Sequence, residues 1–270
     1  MIRKLFSEAF RKVLFSHNTI SSNSSRSSIF FSPHPDDETL GCGGTIAKKC
    51  QSGEKVTIVL MTDGSRSHPD LISDDELKSL RKNEFLAATN ILGVDSKNLI
   101  MLDFKDGELS CNSTEAVNVV INLLQEIEPE QIFVPYINEK PKDHYITTEV
   151  VFSAVNKIGK SYEIYEYPIW YWNQWPYCSF VFKGYKKLPG QVIKILFTNI
   201  KLFLDFKISN KIDDSFEIKT KALEQYASQM TRLINDERWR TLVDVSNGEF
   251  IECFMKSYEI FKLTKLNKKL

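Results

Sequence analysis

The sequence holds no run of about 18–20 apolar residues, so nothing in it reads as a bilayer-spanning helix. It holds no surplus of charge either: 35 Lys and Arg stand against 35 Asp and Glu. No basic field gathers nucleic acid, and that class of partner drops out. Cysteine is sparse, with Cys42, Cys50, Cys111, Cys178 and Cys253 scattered and never spaced C-x-x-C. An odd, unpaired set excludes a disulfide framework and a cysteine zinc site, and points to reduced thiols in a cytoplasm-like compartment. Histidine is scarcer still, with four in the chain. No repeat is visible.

What is present suits one large globular domain. Of 270 residues, 42% are apolar and 26% charged, an ordinary balance for a chain that buries a sizeable core. The opening "MIRKLFSEAFRKVLFSHNTI" is too interrupted by charge for a signal-peptide core. Leu5, Phe6, Ala9, Phe10, Val13 and Leu14 recur there at helical spacing, with Arg3, Lys4, Arg11 and Lys12 between them. That pattern predicts a helix packed on the domain or, alternatively, a basic amphipathic helix touching a membrane or a partner. The run "SSNSSRSS" (21–28) reads as a linker, so residues 1–27 form a leader and 28–270 a single domain.

From Ser28 onward strand-like and helix-like segments alternate. Apolar runs at 28–32, 55–62, 98–104, 131–136 and 163–169 look buried on both faces. Between them, 38–51, 74–92, 114–127 and 145–159 carry helical period. The alternation predicts an α/β, Rossmann-like, mostly parallel sheet with helices on both faces. Beyond Pro168 the regularity breaks into an aromatic loop, "WYWNQWPY". One or two strands are expected within 191–209 and helices at 217–235 and 249–263, a C-terminal elaboration of the same domain.

Ligands of such sheets bind at the carboxyl ends of the strands. Polar clusters fall at four of those ends: His34-Pro35-Asp36-Asp37-Glu38, Thr62-Asp63-Gly64, Asp103 to Gly107, and "INEKPKDHYIT" with Asp143 and His144. A histidine and carboxylates on one loop, joined by a histidine from another, fit a catalytic zinc or related divalent site with an open position for water. His34 and Asp37 lie three apart, so a strand-to-helix turn can aim both inward. Asp36 then points elsewhere, which suits a base. His17 and His68 sit in segments that read as surface and are set aside.

"SPHPDDETLGCGG" followed by "VTIVLMTDG" resembles the PIG-L/LmbE family of zinc-dependent N-acetylglucosaminyl deacetylases. The resemblance continues through "LRKNEFLAATNILGV", "LDFKDGEL", "IFVPYINEKPKDH" and "KTKALEQYASQ", covering roughly residues 28–230. It implies Zn2+, or another exchangeable divalent ion, held by His34, Asp37 and His144, with Asp36 as general base. The implied substrate is an N-acetylated amino sugar on a lipid, thiol precursor, antibiotic or glycan, and the products are acetate and a free amine. Arg81, of the family's Arg-x-x-Glu, is implied to meet substrate, unless it is a solvated helix-face charge. Asp106 matches a substrate-contacting position, though Asp-Gly is also a common turn. Asp143 is expected to orient His144 from behind.

The chain departs from the family at one point. The first histidine of the family's His-x-Asp-His is Pro141 here. In relatives that histidine helps hold the oxyanion or handle protons; Lys140 or Lys142 could supply the missing charge, or be plain exposed lysines. A weakened family member that binds a glycan or a partner is the alternative reading. A two-metal phosphoesterase would call for more ligands than two histidines offer. Trp170, Trp172 and Trp175 are candidates for stacking on a sugar or lipid, or for core burial.

Overall fold

The computed structural model describes residues 2–16, 18–19, 26–179 and 188–266; His17 and most of the serine-rich linker lie outside them. Eight strands form one sheet: β1 (Asn18–Thr19), β2 (Ser28–Ser32), β3 (Val56–Thr62), β4 (Leu99–Phe104), β5 (Gln131–Pro135), β6 (Tyr162–Tyr167), β7 (Ile208–Lys211) and β8 (Tyr258–Leu266). Their order is β1-β7-β8-β6-β5-β2-β3-β4. Strands β6, β5, β2, β3 and β4 run parallel, and β8 runs antiparallel to both β6 and β7. The predicted mostly parallel sheet is thus present, with an antiparallel closure.

Helices α2 (Asp37–Gln51), α3 (Asp74–Ile91) and α7 (Phe216–Leu223) cover one face. Helices α4 (Ser113–Ile127) and α5 (Lys142–Ile158) cover the other. Strand β2 shows why both faces are needed: Phe30 enters the first core, while Ile29 and Phe31 enter the second. Successive side chains of a strand point to opposite sides, so an all-apolar strand requires two cores. Helix α3 begins at a capping box between Ser73 and Glu76.

The strand order reverses at β2, with β3 on one flank and β5 on the other. Crevices in doubly wound sheets open at such a switch point, and the β2–α2 turn stands there. The glycines that follow pack the helix tightly. A Cβ on Gly41 would lie 2.4 Å from the Tyr167 ring, and one on Gly44 would lie 2.4 Å from Ile212.

Beyond β6 the structure corrects the expected elements. Residues 191–209, expected as strands, fall mostly in helix α6 (Leu188–Asp205), and β7 is only four residues long. The expected helix at 217–235 is split into α7 and the single turn α8 (Ala227–Met230). The expected helix at 249–263 is a short 3-10 turn followed by β8. Helix α1 (Ile2–Phe15) does form, turning Ser7, Arg11 and Leu14 inward. None of the described helices is long and apolar enough to cross a membrane.

Candidate metal centre and catalytic pocket

The β2–α2 turn bends sharply at Asp36, whose φ of 122° lies in a region that favours glycine. A non-glycine residue held there signals strain retained at a working position. Arg81, buried on α3, restrains the turn: it donates to Pro35 O, to Gly64 O at 3.1 Å and to Asp36 Oδ2 at 3.2 Å. The expected substrate arginine is thus committed to the turn, with its guanidinium also lining the pocket. Burial pushes the Asp36 carboxyl well above the usual carboxylate range, and Arg81 opposes this only in part.

One residue on, Asp37 opens α2 and reaches two histidines. His34 Nδ1 lies 3.2 Å from Asp37 Oδ2, and His144 Nε2 lies 3.3 Å from the same oxygen. A tetrahedral zinc with bonds of about 2.0–2.1 Å spaces its ligand atoms by about 3.3–3.4 Å, so the two spacings to Asp37 Oδ2 suit such an ion. His144 is fully enclosed, and burial lowers it to about 4, so it is neutral and its lone pair is free for a metal. His144 Nδ1 and Asp143 Oδ1 are buried without a partner among the described residues.

The far side of His34 is held by carboxylates. Its Nε2 stands 3.3 Å from Asp106 Oδ1 and 3.6 Å from Asp143 Oδ2. Asp106 also accepts from Arg66 N at 3.1 Å, and Asp143 from Gly107 N at 2.7 Å. Burial disfavours charge on His34, but Asp106, Asp143 and Asp37 outweigh it and raise its pKa well above the usual range. Asp106 is therefore a His34 partner at the pocket wall, beyond the substrate contact expected of it. Asp143 reaches His34 rather than His144. Adjacent residues on a helix diverge by about 100°, so Asp143 cannot face its own neighbour. His34, Asp106 and Asp143 form a second donor group that could hold an ion, sharing His34 with the first.

Glu38, given no role by the sequence, is a buried anchor. It accepts from Ser32 Oγ at 3.0 Å, Thr39 Oγ1 at 2.6 Å and the Tyr226 hydroxyl. Glu84, three residues after Arg81, accepts from Ser228 N at 2.7 Å and Ser228 Oγ at 2.6 Å. Both acids tie the turn to the segment beyond α7. His68, read as a surface residue, is in fact buried: it stacks on Trp239 at 4.1 Å and bonds Arg240 O.

These groups surround a cavity of about 310 Å³, whose remaining walls include Arg66, Pro141, Lys142, Trp170 and Gln229. Lys142 opens α5 at this wall; Lys140 is exposed and lies outside it. Trp170 lines the cavity and stacks on Phe250 at 4.7 Å, whereas Trp172 is buried in the core. Trp175 meets Phe6 of α1 at 5.7 Å. Gln229 closes the stretch "KTKALEQYASQ" but was given no role there, and Arg66 stands in none of the quoted motifs.

Residues 29–155 match the family model PIG-L, described as GlcNAc-PI de-N-acetylase. A diacetylchitobiose deacetylase of Thermococcus kodakarensis is 38% identical over 38% of this chain and 38% of its own length. A probable N-acetyl-alpha-D-glucosaminyl L-malate deacetylase 2 of Bacillus anthracis is 32% identical over 48% of this chain and 59% of its own length. Those two matches thus span well under two thirds of either relative. A Mycobacterium 1D-myo-inositol 2-acetamido-2-deoxy-alpha-D-glucopyranoside deacetylase aligns more widely, at 26% identity over 77% of this chain and 76% of its own length. Among solved structures, N,N'-diacetylchitobiose deacetylase of Pyrococcus horikoshii superposes with a TM-score of 0.63 at 21% identity, covering 98% of this chain and 93% of that one. The 4-carboxy-2-hydroxymuconate hydratase GalB of Pseudomonas putida reaches 0.60 at 14% identity, covering 91% and 98%. A hydratase on the same scaffold shows that the fold alone does not set the reaction.

Proposed function

Because residues 29–155 match the PIG-L family model and relatives of the chain carry deacetylase names, we propose that this protein is a metal-dependent N-deacetylase. It removes the N-acetyl group from an N-acetylated amino sugar in a glycoconjugate, lipid-linked or small glycoside form, releasing acetate and a free amine. The observation that carries this reading is the convergence of the His34, Asp37 and His144 donor atoms within 4.8 Å of one another, beside an Asp36 held by Arg81. The five cysteines, none of them bridged, support a reducing, cytoplasm-like compartment.

His34, Asp37 and His144 would hold the ion, and the nitrogen and oxygen donors suit zinc. Such an ion polarises an amide carbonyl and brings the pKa of water toward neutrality. The Asp36 carboxylate takes the proton of the attacking water. It then delivers that proton to the amide nitrogen as the C–N bond breaks, because an amine leaves poorly unless protonated. Burial makes Asp36 a stronger base than an exposed aspartate, and Arg81 keeps its carboxylate aimed. Asp106 holds the Nε2 edge of His34 and so turns Nδ1 toward Asp37. The helices α2 and α5 both begin at the pocket, where their amino ends favour a developing negative charge. Lys142 adds a cation at that wall, next to Pro141, where the resemblance implies a histidine.

Acetate release tests the proposal. It should be measured on N,N'-diacetylchitobiose, other N-acetylglucosamine glycosides, lipid-linked sugars and nucleotide sugars, with and without chelator. Turnover of at least one substrate, abolished by chelator and restored by zinc, is the expected result. No acetate from any of them, with sugar binding in a calorimeter, would support a carbohydrate-binding protein instead.

A further inference from the structure

Two helices turn large apolar side chains to solvent. On α1, Ile2, Leu5, Phe6 and Val13 are 46–69% exposed. On α6, Ile193, Leu196, Phe197, Ile200 and Leu204 are 46–68% exposed. The α6 positions recur at i, i+3, i+4, i+7 and i+11, which draws a single stripe along the helix. Its opposite side is already engaged: Leu202 and Phe206 are buried, and Asn199 donates to Trp175 O at 2.8 Å. Helix α6 is therefore apolar on both sides, as expected where the outer side also meets an apolar medium. The two helices adjoin, since Phe10 meets Phe203 edge-on at 5.1 Å.

Charge identifies that medium. Helix α6 carries Lys194 and Lys201, and its one acid, Asp205, stands at its very end. Lys194 and Lys201 are exposed on α6, and Lys4 and Lys12 are exposed on α1 beside Glu8. The chain as a whole is balanced, with formal net charge +0, so this is a local cationic concentration. Lysines interleaved with exposed Leu, Ile and Phe are the composition of helices that lie in a membrane interface. Their stems can lie along the apolar stripe while the ammonium groups reach headgroups. A second copy would set lysines against lysines, and protein interfaces are depleted in lysine.

We propose that α1 and α6 dock this protein, lying in the plane of the surface, on a lipid bilayer with anionic headgroups. Neither helix supplies a residue of the His34–Asp37–His144 group, so this docking stands whether or not the chain is a deacetylase.

The test is co-sedimentation of the full chain with vesicles of phosphatidylcholine alone and of phosphatidylcholine mixed with phosphatidylglycerol. Binding to the anionic vesicles should exceed binding to the neutral ones by about tenfold or more and fall as salt rises. Leu196→Ser with Phe197→Ser should lower it by about tenfold or more on both vesicle types. Lys194→Gln with Lys201→Gln should remove most of the anionic preference, about tenfold, with the melting temperature unchanged. Should the serine variant fail to fold, the lysine variant decides. A wild-type chain that stays in the supernatant with both vesicles overturns the proposal. So does a dimer that ignores vesicles and that the serine substitutions dissociate, which would assign the stripe to a second copy.

Discussion

The segments after β2, β4 and β5 bring together the donor side chains His34, Asp37, Asp106, Asp143 and His144, with Asp36 beside them. The segment from α7 to α8 contributes none of these, yet it grips the same turn from behind. Tyr226 bonds Glu38, Ser228 bonds Glu84, and Lys219 donates to Leu40 O at 2.8 Å while pairing with Glu259. In the proposed reaction the front carries the chemistry and the rear carries the position. A buried charge must be satisfied from somewhere, and here the C-terminal elaboration supplies the partners that the parallel sheet lacks. Substitutions on the two sides should therefore separate cleanly in their effects.

The largest expected effect lies at the front. Asp36→Asn keeps the shape and accepts no proton, so acetate turnover should fall by about 10²–10⁴-fold with an unchanged melting temperature. A smaller loss, about tenfold in kcat with little change in KM, is expected for Lys142→Ala, since this cation stands exposed at the pocket wall and solvent screens it. Lys140→Ala, outside that wall, should leave kcat unchanged; the reverse order for the two lysines would break the assignment.

The rear should respond in stability. Tyr226→Phe leaves the buried Glu38 carboxylate short of a donor and should cost about 1–3 kcal/mol in denaturant unfolding, with turnover changed less than about threefold. A turnover loss without a stability loss would put Tyr226 in the chemistry.

An effect that depends on pH, and vanishes at low pH, belongs to Glu139, between the two regions. It accepts from Ile169 N at 2.7 Å and Tyr171 N at 3.2 Å, and burial raises its carboxyl to about 8. The folded chain therefore holds this proton up to about pH 8, while the unfolded chain releases it near the usual glutamate value of about 4.3. Stability from this group is lost as pH rises between those two values. Glu139→Gln has no proton to lose, so its melting temperature relative to the wild type should rise from pH 5 to pH 8, by roughly ten degrees as an upper bound. A gap that narrows over that range would contradict the shift.

The same division decides what could be read from the sequence. In the parallel half, strands buried on both faces and helices with clear 3.6 periodicity place the elements within a few residues, from Ser28–Ser32 through Lys142–Ile158. The motif around His34 is legible because its donors sit within one turn. Beyond Pro168 the signal fails for a physical reason. "QVIKILFTNIKLFLD" is rich in β-branched residues and apolar on both sides, so strand and helix fit it equally. "EIFKLTKL" is too short to fix its period, and only pairing with β6 and β7 makes it a strand. Arg66 reaches the cavity, and Glu139 and Tyr226 their buried partners, through the tertiary fold, and no local spacing announces those contacts. Asp143, expected to orient His144, stands against His34 instead, a choice of partner that only the packed fold sets.

Metal content and acetate turnover, measured together on wild type, Asp36→Asn and His144→Ala, test the central claim that His34, Asp37 and His144 hold a metal beside a separate base. The account predicts about one divalent ion per chain and full turnover for the wild type, metal retained but turnover lost for Asp36→Asn, and both lost for His144→Ala. Full metal occupancy in His144→Ala, or loss of metal in Asp36→Asn, would contradict it.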